Sequence, residues 1–412
     1  MSKVLVLGYV WPEPTSSAAG TRMMQLLNFF RKEEHDILFC TTAKESENMA
    51  DLHSLGIPSR RIKVNDPGFD ELLKEFQPEI VLFDRFMIEE QFGWRVDDIC
   101  PNAIKILDTE DLHFLRDARE KAYKKNASAA NIYLESELAK REIAAIYRCD
   151  LSLIISEVEL QLLKTEFRIS DELLLYLPYL LENISKREIK DLPVYEDRLD
   201  FMSIGNFLHE PNWNAVLYLK ENLWPGIRKK LPGVKLQVYG AYPSQKVFNL
   251  HNEKGGVMIN GHAKDSALVI QNARVCLAPI QFGAGLKGKL IEAMQNGTPS
   301  ITSSIGAEGI NSDQPWNGFI SDNDSTFISK AVELYSNKEL WEQKQKAGFR
   351  IINSRFYKEN FEEAFKKALQ DIQSRLKLHR QRNFTGQMLK HHLHRSTYFM
   401  SRFIMEKNRD KK

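Results

Sequence analysis

The chain has 412 residues, of which 43% are hydrophobic and 27% are charged, and its formal net charge is +2. These values exclude a low-complexity chain and are typical of a soluble globular protein with two domains, each large enough to bury a core. A net charge this small argues neither for nor against a polyanionic partner.

The cysteines and the N-terminal apolar run bear on the compartment. The four cysteines are Cys40, Cys100, Cys149 and Cys276. They form neither a CxxC pair nor a metal-like cluster, so we expect buried thiols in a reducing compartment and no metal site. The run from Val4 to Val10 is too short to cross a membrane, and only Lys3 precedes it. It therefore predicts a first buried strand in a cytoplasmic protein.

The first half of the chain alternates short apolar runs with longer amphipathic segments. Apolar runs without alternation indicate strands that are covered on both faces, hence a parallel sheet. Helices are predicted between several of them, as over Thr21–Arg31 and Leu112–Tyr147. The predicted strands are Val4–Val10, Asp36–Thr42, Glu79–Asp84, Ala103–Asp108, Leu151–Ser156 and Leu173–Pro178.

The pattern restarts after a charged stretch, Lys186–Asp200, which contains Pro193 and reads as a linker. Helices are predicted over Trp213–Lys230 and Ala263–Asn272. Two doubly wound α/β units in succession predict a deep cleft between them. The predicted strands of the second unit are Phe201–Gly205, Val234–Gly240, Gly256–Asn260, Arg274–Ile280 and Ser300–Ser303.

The most informative segment is PIQFGAGLKGKLIEAMQNGTPSITSSIGAEGI, residues 279–310. A buried strand runs into a loop whose glycines leave the backbone open, and Lys287 and Lys289 follow at the start of a helix. Unpaired N–H groups and the helix dipole favour anions there. Glu292 lies on the same helix face as Lys289. A carboxylate beside a basic helix start suits a nucleotide sugar, which carries both hydroxyls and phosphates.

The alternative interpretation of this segment is an ordinary βα unit with a flexible loop and two solvated lysines. The residues that follow favour the ligand site. Gly297-Thr298-Pro299 ends the helix, and a second glycine loop, 306–309, follows the next short strand. Two such loops at the carboxyl ends of neighbouring strands open into one crevice.

The sequence resembles the GT-B retaining glycosyltransferases of family 4. The resemblance is carried by GNFLHEPNWNAVLYLKENLWPGIRKKLPGVKLQVYG (205–240), by VMINGHAKD (257–265), by the 279–310 segment and by VLVLGYVWPEPTSSAAGTRMMQLLNFF (4–30). It implies two Rossmann-like domains, 1–190 on the acceptor side and 191–354 for the nucleotide-diphospho-sugar. It also implies a helix, 355–370, that returns to the first domain. Transfer would proceed with retention and without a metal or other cofactor.

The resemblance implies roles in donor binding. Glu292 matches the glutamate that binds the nucleotide ribose, and Lys287 with the amides of Gly283 and Gly285 would hold the diphosphate. His262 lies where the family loop touches the base. Gly20 lies in a loop that would approach the phosphates from the first domain. Glu308 would contact the donor or cap the next segment. The remaining donor-side candidates are Gly205 and, as helpers in binding the diphosphate, His209 and Lys289.

On the acceptor side, His113 matches a family histidine near the sugar, where it would hydrogen-bond a donor hydroxyl. Asp111 and Asp108 are candidates for a base acting on the acceptor hydroxyl, although Asp111 also suits a helix cap. Arg22 is a candidate for binding phosphate or acceptor. The sequence departs from the family at Ala284, where many members carry a second glutamate. It also has Asn206 and Asn212 where they carry Arg and Lys.

The C-terminal segment is much more basic than the rest of the chain. Residues 372–412 contain eleven lysines and arginines and two acidic residues, giving about +9. Leu389, Leu393, Met400, Phe403 and Ile404 fall near one helix face, which predicts a basic amphipathic tail over 371–412 that binds an anionic membrane surface. The alternative is a solvated or disordered tail. Nucleic-acid binding is not expected, because the aromatic interleaving of stacking platforms is missing.

The sequence therefore predicts a glycosyltransferase that moves a sugar to a glycan or lipid-linked acceptor in surface polysaccharide or lipopolysaccharide-type biosynthesis. Two alternatives remain open. One is a nucleotide-sugar epimerase on the same fold. The other is a non-catalytic binding subunit of a glycosyltransferase complex, which the missing glutamate at Ala284 favours slightly.

Overall fold

The computed structural model describes residues 2–125 and 134–409, and of residues 393–395 and 408–409 it describes only the backbone. The part of the chain that it describes contains two parallel sheets, one after the other in sequence. In the middle of the first sheet the strand residues are almost all buried, as expected for a sheet that is covered by helices on both faces.

The first sheet has seven strands in the order β3-β2-β1-β4-β5-β6-β7. The order reverses between β1 and β4, so this is a doubly wound sheet with a crevice at that point. The strands are β1 Lys3–Gly8, β2 Asp36–Thr41, β3 Ser59–Arg61, β4 Ile80–Asp84, β5 Ile104–Asp108, β6 Leu151–Ile154 and β7 Leu174–Tyr176.

The second sheet has six strands in the order β10-β9-β8-β11-β12-β13, and it reverses between β8 and β11. Its topology therefore repeats that of the first sheet. The strands are β8 Leu199–Ile204, β9 Leu236–Tyr239, β10 Val257–Gly261, β11 Ala273–Ala278, β12 Ser300–Thr302 and β13 Gly318–Ile320.

Helices connect the strands of each sheet. In the first half they are α1 Ala18–Lys32, α2 Gly68–Phe76, α3 Phe86–Ile99, α4 His113–Lys124, α5 Glu137–Arg148, α6 Glu157–Thr165 and α7 Lys186–Asp191. In the second half they are α8 Glu210–Tyr218, α9 Trp224–Lys230, α10 Gln245–Phe248, α11 Ser266–Asn272, α12 Gly288–Gln295, α13 Ser304–Ala307, α14 Asp324–Ser336 and α15 Lys338–Arg355. The chain ends with α16 Lys358–Arg382, α17 Phe384–Leu389 and α18 Arg395–Arg409.

Successive residues of β1 pack into different cores. Val4 and Val6 belong to the apolar cluster on one face of the first sheet, and Leu5 and Leu7 belong to the cluster on the other face. Side chains alternate between faces along a strand, so a run of four apolar residues supplies both cores. The uninterrupted apolar runs of the sequence follow directly from this arrangement.

The predicted fold class is confirmed, and the differences are local. Each predicted strand is present, but β3 and β13 were missed. The three residues of β3 are all exposed, and only the glycine of β13 is buried, so neither strand has a buried apolar run. The predicted helix over residues 112–147 is two helices, α4 and α5, and residues 126–133 within it lie outside the described part. The predicted linker contains α7, which Ser185 and Glu188 begin with a capping box.

The C-terminal helices cross back to the first sheet. Phe365 of α16 stacks on Phe29 of α1, with ring centroids 4.7 Å apart. Further along α16, Arg380 donates to both oxygens of the buried Asp150 carboxylate, at 2.8 and 2.7 Å. The predicted tail therefore begins as a helix that is docked on the first domain.

Helix α18 continues this docking with one of its faces. Tyr398 meets Trp94 of α3 edge to face at 5.5 Å, and Ser401 accepts a hydrogen bond from Arg95 at 3.1 Å. The opposite side leaves Phe399 and Phe403 exposed. Residues 410–412, at the end of the predicted tail, lie outside the described residues. Among the helices that are described, none combines the length and the apolar composition that a membrane crossing requires.

The Arg380–Asp150 pair gives a test of how the tail is held. We expect Arg380→Gln to lower the free energy of unfolding by about 3 kcal/mol, because it leaves the buried Asp150 carboxylate without its main partner. It should also increase hydrogen exchange in α17 and α18. Urea unfolding and exchange mass spectrometry measure the two effects.

The matched control is Arg382→Gln. Arg382 pairs with Glu172 at the surface, where the two side chains are 52% and 37% exposed, and such a pair contributes at most about 1 kcal/mol. Equal effects of the two substitutions would show that the Asp150 pair does not anchor the tail.

Candidate functional site

A cavity of about 790 Å³ lies where the two sheets face each other. The loops that follow β1, β4, β8 and β11 all contribute to its wall. These are the strands on either side of the two points where strand order reverses, and ligands of doubly wound sheets bind at such points. The topology therefore places one large cavity at both crevices.

The loop between β11 and α12 forms part of the cavity wall and touches the first domain. At Gly285 the backbone has a φ of +63°, and an added Cβ would lie 2.8 Å from the Cβ of Asp111. Glycine is therefore required there both for conformation and for close approach. The N–H of Gly285 donates to Glu159 Oε1 at 2.7 Å, so in this structure the amide that was predicted to hold diphosphate has a carboxyl partner.

Lys287 and Lys289 both line the cavity. Lys287 Nζ donates to the carbonyl oxygen of Gly285 at 2.8 Å, and Lys289 Nζ donates to Asn212 Oδ1 at 2.7 Å. Burial lowers the pKa of each lysine to about 8. The site therefore holds two cations at a free-energy cost that a bound anion would offset.

Gly205 makes room for the second of these lysines. A Cβ at Gly205 would lie 2.7 Å from Lys289 Nζ and 2.8 Å from the side chain of Asn212. The asparagine that departs from the family pattern thus positions a lysine, and it does so through a hydrogen bond that the sequence did not indicate.

Glu292 lies on α12 and lines the same cavity. Its Oε1 accepts a hydrogen bond from Ser266 Oγ at 3.3 Å. Burial raises the pKa of Glu292, while Ser266 and the charge of Lys289 act in the opposite direction. Ser266 was missed, because a serine just after a helix cap gives no signal of a binding role in the sequence.

His113 and Asp111 lie on the opposite wall. His113 Nδ1 is 3.0 Å from the carbonyl oxygen of Asp111, so this nitrogen carries the proton. Asp111 also accepts from Arg116 Nη1 at 2.7 Å. Burial alone would raise the pKa of Asp111, but Arg116 and the two histidines nearby, His113 and His209, lower it. Asp111 is therefore an ionised partner of Arg116, not the helix cap, since Leu112 holds the cap position of α4.

Two other histidines were predicted on the donor side, and both line the cavity. His209 precedes α8, and its side chain is exposed. Desolvation by the cavity walls, with the charge of Arg116 added, lowers its pKa. His262 Nε2 is 3.1 Å from the carbonyl oxygen of Thr15 in the first domain. Gly283 also lines the cavity, and its carbonyl oxygen accepts from Arg119 at 2.8 Å.

Four predicted site residues do not line the cavity. Arg22 and Asp108 are 1% and 0% exposed and form an ion pair with each other at 2.8 Å, so the predicted acceptor contact is corrected to a buried structural pair. Gly20 approaches the backbone of Glu13, where a Cβ would lie 2.3 Å from the carbonyl carbon. Glu308 accepts two hydrogen bonds from Arg119, both 2.7 Å long. Gly20 therefore packs against Glu13 and Glu308 pairs with Arg119, where a contact with the donor was predicted.

Polar contacts join the two domains around the cavity. Besides Arg119–Glu308 and Glu159–Gly285, Tyr242 in the second domain donates to Glu13 in the first at 2.8 Å. The partners of these pairs are 126 to 229 positions apart in sequence. Local sequence patterns carry no information on such pairs, which is why they were missed.

Comparisons with known proteins agree with this architecture. Residues 198–337 match the family described as glycosyl transferases group 1. No curated protein sequence matches the chain. Three similar solved structures illustrate the likeness of fold. Sucrose-phosphate synthase from Thermosynechococcus elongatus has 14% sequence identity and a TM-score of 0.69, and the match covers 90% of this chain and 99% of that one. TarM of S. aureus has 10% identity and a TM-score of 0.67, with 89% of this chain and 99% of that one covered. HepE of Anabaena, in complex with UDP and glucose, has 12% identity and a TM-score of 0.65, with 90% of this chain and 100% of that one covered.

At these identities the similar structures show the fold, and the family match covers the second sheet with its helices. The resemblance to glycosyltransferases of the GT-B fold, which the sequence motifs carried, is thereby confirmed. The chain has the GT-B fold, and its residues 198–337 match the family model of the glycosyl transferases group 1.

Proposed function

We propose that this protein transfers a sugar with retention from a nucleotide-diphospho-sugar to a glycan or lipid-linked acceptor in surface polysaccharide or lipopolysaccharide-type biosynthesis. The observation that carries the proposal is the convergence of Lys287, Lys289 and Glu292 on one cavity between two doubly wound sheets. In this proposal residues 191–354 bind the donor and residues 1–190 bind the acceptor.

The chemistry follows from the residues of the cavity. As the bond from sugar to diphosphate breaks, negative charge grows on the leaving group, and the two lysines lie where they would stabilise it. They supply this positive charge without a metal or another cofactor. Glu292 would accept hydrogen bonds from the ribose hydroxyls. Four of the similar structures contain UDP, two of them with glucose or GlcNAc as well, which supports a nucleotide donor here.

The first-domain wall would position the sugar. With Nδ1 bonded to a carbonyl oxygen, His113 has Nε2 left for a hydroxyl of the donor sugar. Asp111 is ionised and held by Arg116, so it would orient polar groups rather than remove a proton by itself. Closure of the two domains around a bound donor would exclude water, which would favour transfer over hydrolysis.

We also propose that the protein works in the cytoplasm at an anionic membrane surface, which α17 and α18 would contact. Phe384, Phe399 and Phe403 are 66%, 66% and 64% exposed. Basic residues surround them in this segment. An apolar strip beside cations fits the interface of an anionic bilayer. A lipid-linked acceptor would be presented at that surface.

The donor assignment is tested by Glu292→Gln. We expect the affinity for UDP to fall by on the order of 1–3 kcal/mol, because the charge-assisted hydrogen bonds to the ribose are weakened. Isothermal titration calorimetry measures the affinity, and the melting temperature should stay within a few degrees of the wild type. Glu221→Gln, at an exposed position of the same domain, is the matched control. Unchanged UDP affinity in Glu292→Gln would refute the ribose contact.

The buried lysines predict how donor binding depends on pH. Below pH about 8 both are ammonium ions in the folded protein, and above it they lose protons. Because the diphosphate binds the charged forms, UDP binding above pH about 8 must take up protons. We expect Kd to rise by up to about tenfold per lysine for each pH unit above that value.

Calorimetry in buffers of different ionisation enthalpy measures this proton uptake. The control is Lys289→Gln, which should bind UDP more weakly and show a shallower rise of Kd with pH. A Kd that is flat from pH about 7 to about 9 would contradict the placement of both ammonium groups at the diphosphate.

The tail is tested by replacing Phe399 and Phe403 together with serine. We expect partitioning onto phosphatidylglycerol vesicles to weaken by about 2 kcal/mol or more, because two aromatic side chains no longer enter the interface. Vesicle co-sedimentation measures the effect, with phosphatidylcholine vesicles for comparison. The matched control is Phe248→Ser, since Phe248 is 42% exposed on α10 of the other domain. Equal loss in both variants, or no binding by the wild type, would disprove the membrane contact.

A further inference from the structure

The first sheet has a crevice of its own at the cavity. Strands β1 and β4 are neighbours at the point where its strand order reverses. Tyr9 follows β1 and Arg85 follows β4, and both line the cavity on the side opposite the donor lysines. The rule that places the donor at the second sheet therefore places another ligand at these two residues.

Arg85 has a backbone conformation that is unusual for any residue except glycine. Its φ is 71° and its ψ is 155°. Conformations of this kind are strained for residues with a Cβ and occur mainly at functional sites. The backbone N–H of Arg85 donates to the carbonyl oxygen of Asp108 at 2.8 Å, which holds the strained residue between β4 and α3. A glycine would adopt the same conformation without strain, so the arginine side chain is the feature that requires explanation.

The guanidinium of Arg85 has an ion-pair partner but no hydrogen-bond acceptor among the described residues. It lies 4.9 Å from the ring centroid of Tyr9, and its nearest carboxylate oxygen, on Asp84, is 3.5 Å from Nε. Among the described residues none accepts a hydrogen bond from this guanidinium. The other arginine and lysines that line the cavity do have such acceptors, on Asp111 for Arg116, on carbonyl oxygens for Lys287 and on Asn212 for Lys289.

The surroundings of Arg85 suit a sugar ring with a negative charge. Tyr9 and Val10 are 40% and 42% exposed and give an apolar surface beside the guanidinium, on which the face of a sugar ring can lie. The planar fork of a guanidinium matches the oxygens of a carboxylate or a phosphate. Asp84 only partly neutralises it at 3.5 Å.

Two other carboxyl groups lie close enough to act on Arg85. Glu110 also lines the cavity and also has a positive φ, of 61°. Burial, with Asp108 and Asp84 nearby, raises its pKa well above the ordinary value, although Arg85 acts in the opposite direction. Asp111 is ionised, but its carboxylate accepts hydrogen bonds from Arg116 and none from Arg85.

Resting on the proposed transferase function, we infer that Tyr9 and Arg85 form an anion-binding acceptor subsite, and that the acceptor is a sugar carrying a carboxylate or a phosphate. The sugar ring lies against Tyr9, and its charged group accepts hydrogen bonds from the guanidinium. Arg85 is thus a specificity-determining residue for the acceptor and has no part in holding the donor.

The test measures binding of small sugars to protein that is saturated with UDP, so that the donor site is occupied. Methyl α-glucuronide and glucose 6-phosphate are the anionic probes, one for each source of charge, and methyl α-glucoside is the neutral one. We expect at least one anionic sugar to bind more tightly than the neutral sugar. In Arg85→Gln that affinity should fall about tenfold or more, and in Arg85→Lys by less, because the charge remains without the fork.

Matched controls separate this inference from the donor site and from folding. Arg187→Gln, at an exposed position of α7, should change nothing, and UDP affinity should be the same in all variants. Arg85→Gly should lose the anionic sugar while it keeps the wild-type melting temperature or raises it, because the strained backbone relaxes.

The outcomes are distinguishable. Failure of the wild type to bind UDP would overturn the proposed function. Normal UDP binding with equal affinity for the three sugars, with no binding of either anionic sugar, or with an unchanged preference in Arg85→Gln, would overturn this inference alone.

Discussion

The burial of two lysines at one helix start is the constraint on which the rest of the site depends. An ammonium ion out of water is costly unless a counter-ion or hydrogen bonds replace its hydration. Among the described residues, Lys287 and Lys289 donate only to neutral oxygen acceptors, and desolvation lowers the pKa of each lysine. The free protein therefore holds its binding groups in a state that an anionic ligand stabilises, which is how a preorganised electrostatic site works.

Such a site needs a rigid support, and helix α12 supplies it. Leu290, Ile291 and Met294 of this helix are almost completely buried and pack into an apolar cluster with Phe356, which ends α15. The apolar face fixes the helix against the second domain, so the lysines cannot retreat to solvent by a shift of the backbone. The packing of the apolar face thus offsets the free-energy cost of desolvating the polar face, and one eight-residue helix carries both faces.

The contacts between the domains have a different character. They are ion pairs and hydrogen bonds such as Arg119–Glu308 and Tyr242–Glu13, around a large cavity. Interfaces of this kind permit relative domain motion more readily than apolar ones do. Glu159 also takes part in these contacts between the domains, since it accepts a hydrogen bond from the amide of Gly285. Burial and the neighbouring Asp111 raise the pKa of this carboxyl group to about 8. A carboxyl group of the first domain thus accepts from an amide of the loop between β11 and α12, and this hydrogen bond joins that loop to the first domain.

The sequence could predict features that depend on local interactions, but it could not predict pairs of residues that are distant in sequence. Strands such as β1 and β11 were evident because their apolar runs are a local signal, and the lysines and Glu292 were evident because helix spacing is local too. Arg22 was assigned to ligand binding because its buried partner, Asp108, is 86 positions away, and no local pattern shows that pairing. Arg85 was overlooked for a related reason, since its strained backbone depends on where Asp108 lies in three dimensions.

The tail shows how distant pairing changes a conclusion that was drawn from local charge and periodicity. Its excess of positive charge and its apolar helix face together suggested attraction to an anionic membrane. However, Arg380 is paired with Asp150, and Lys390 lies 3.9 Å from Asp97. These cations hold the tail on the first domain, so fewer of them face outward than the sequence suggests. The exposed aromatic side chains of α17 and α18 must therefore supply a larger share of any attraction to a bilayer, and that share is apolar and little affected by salt.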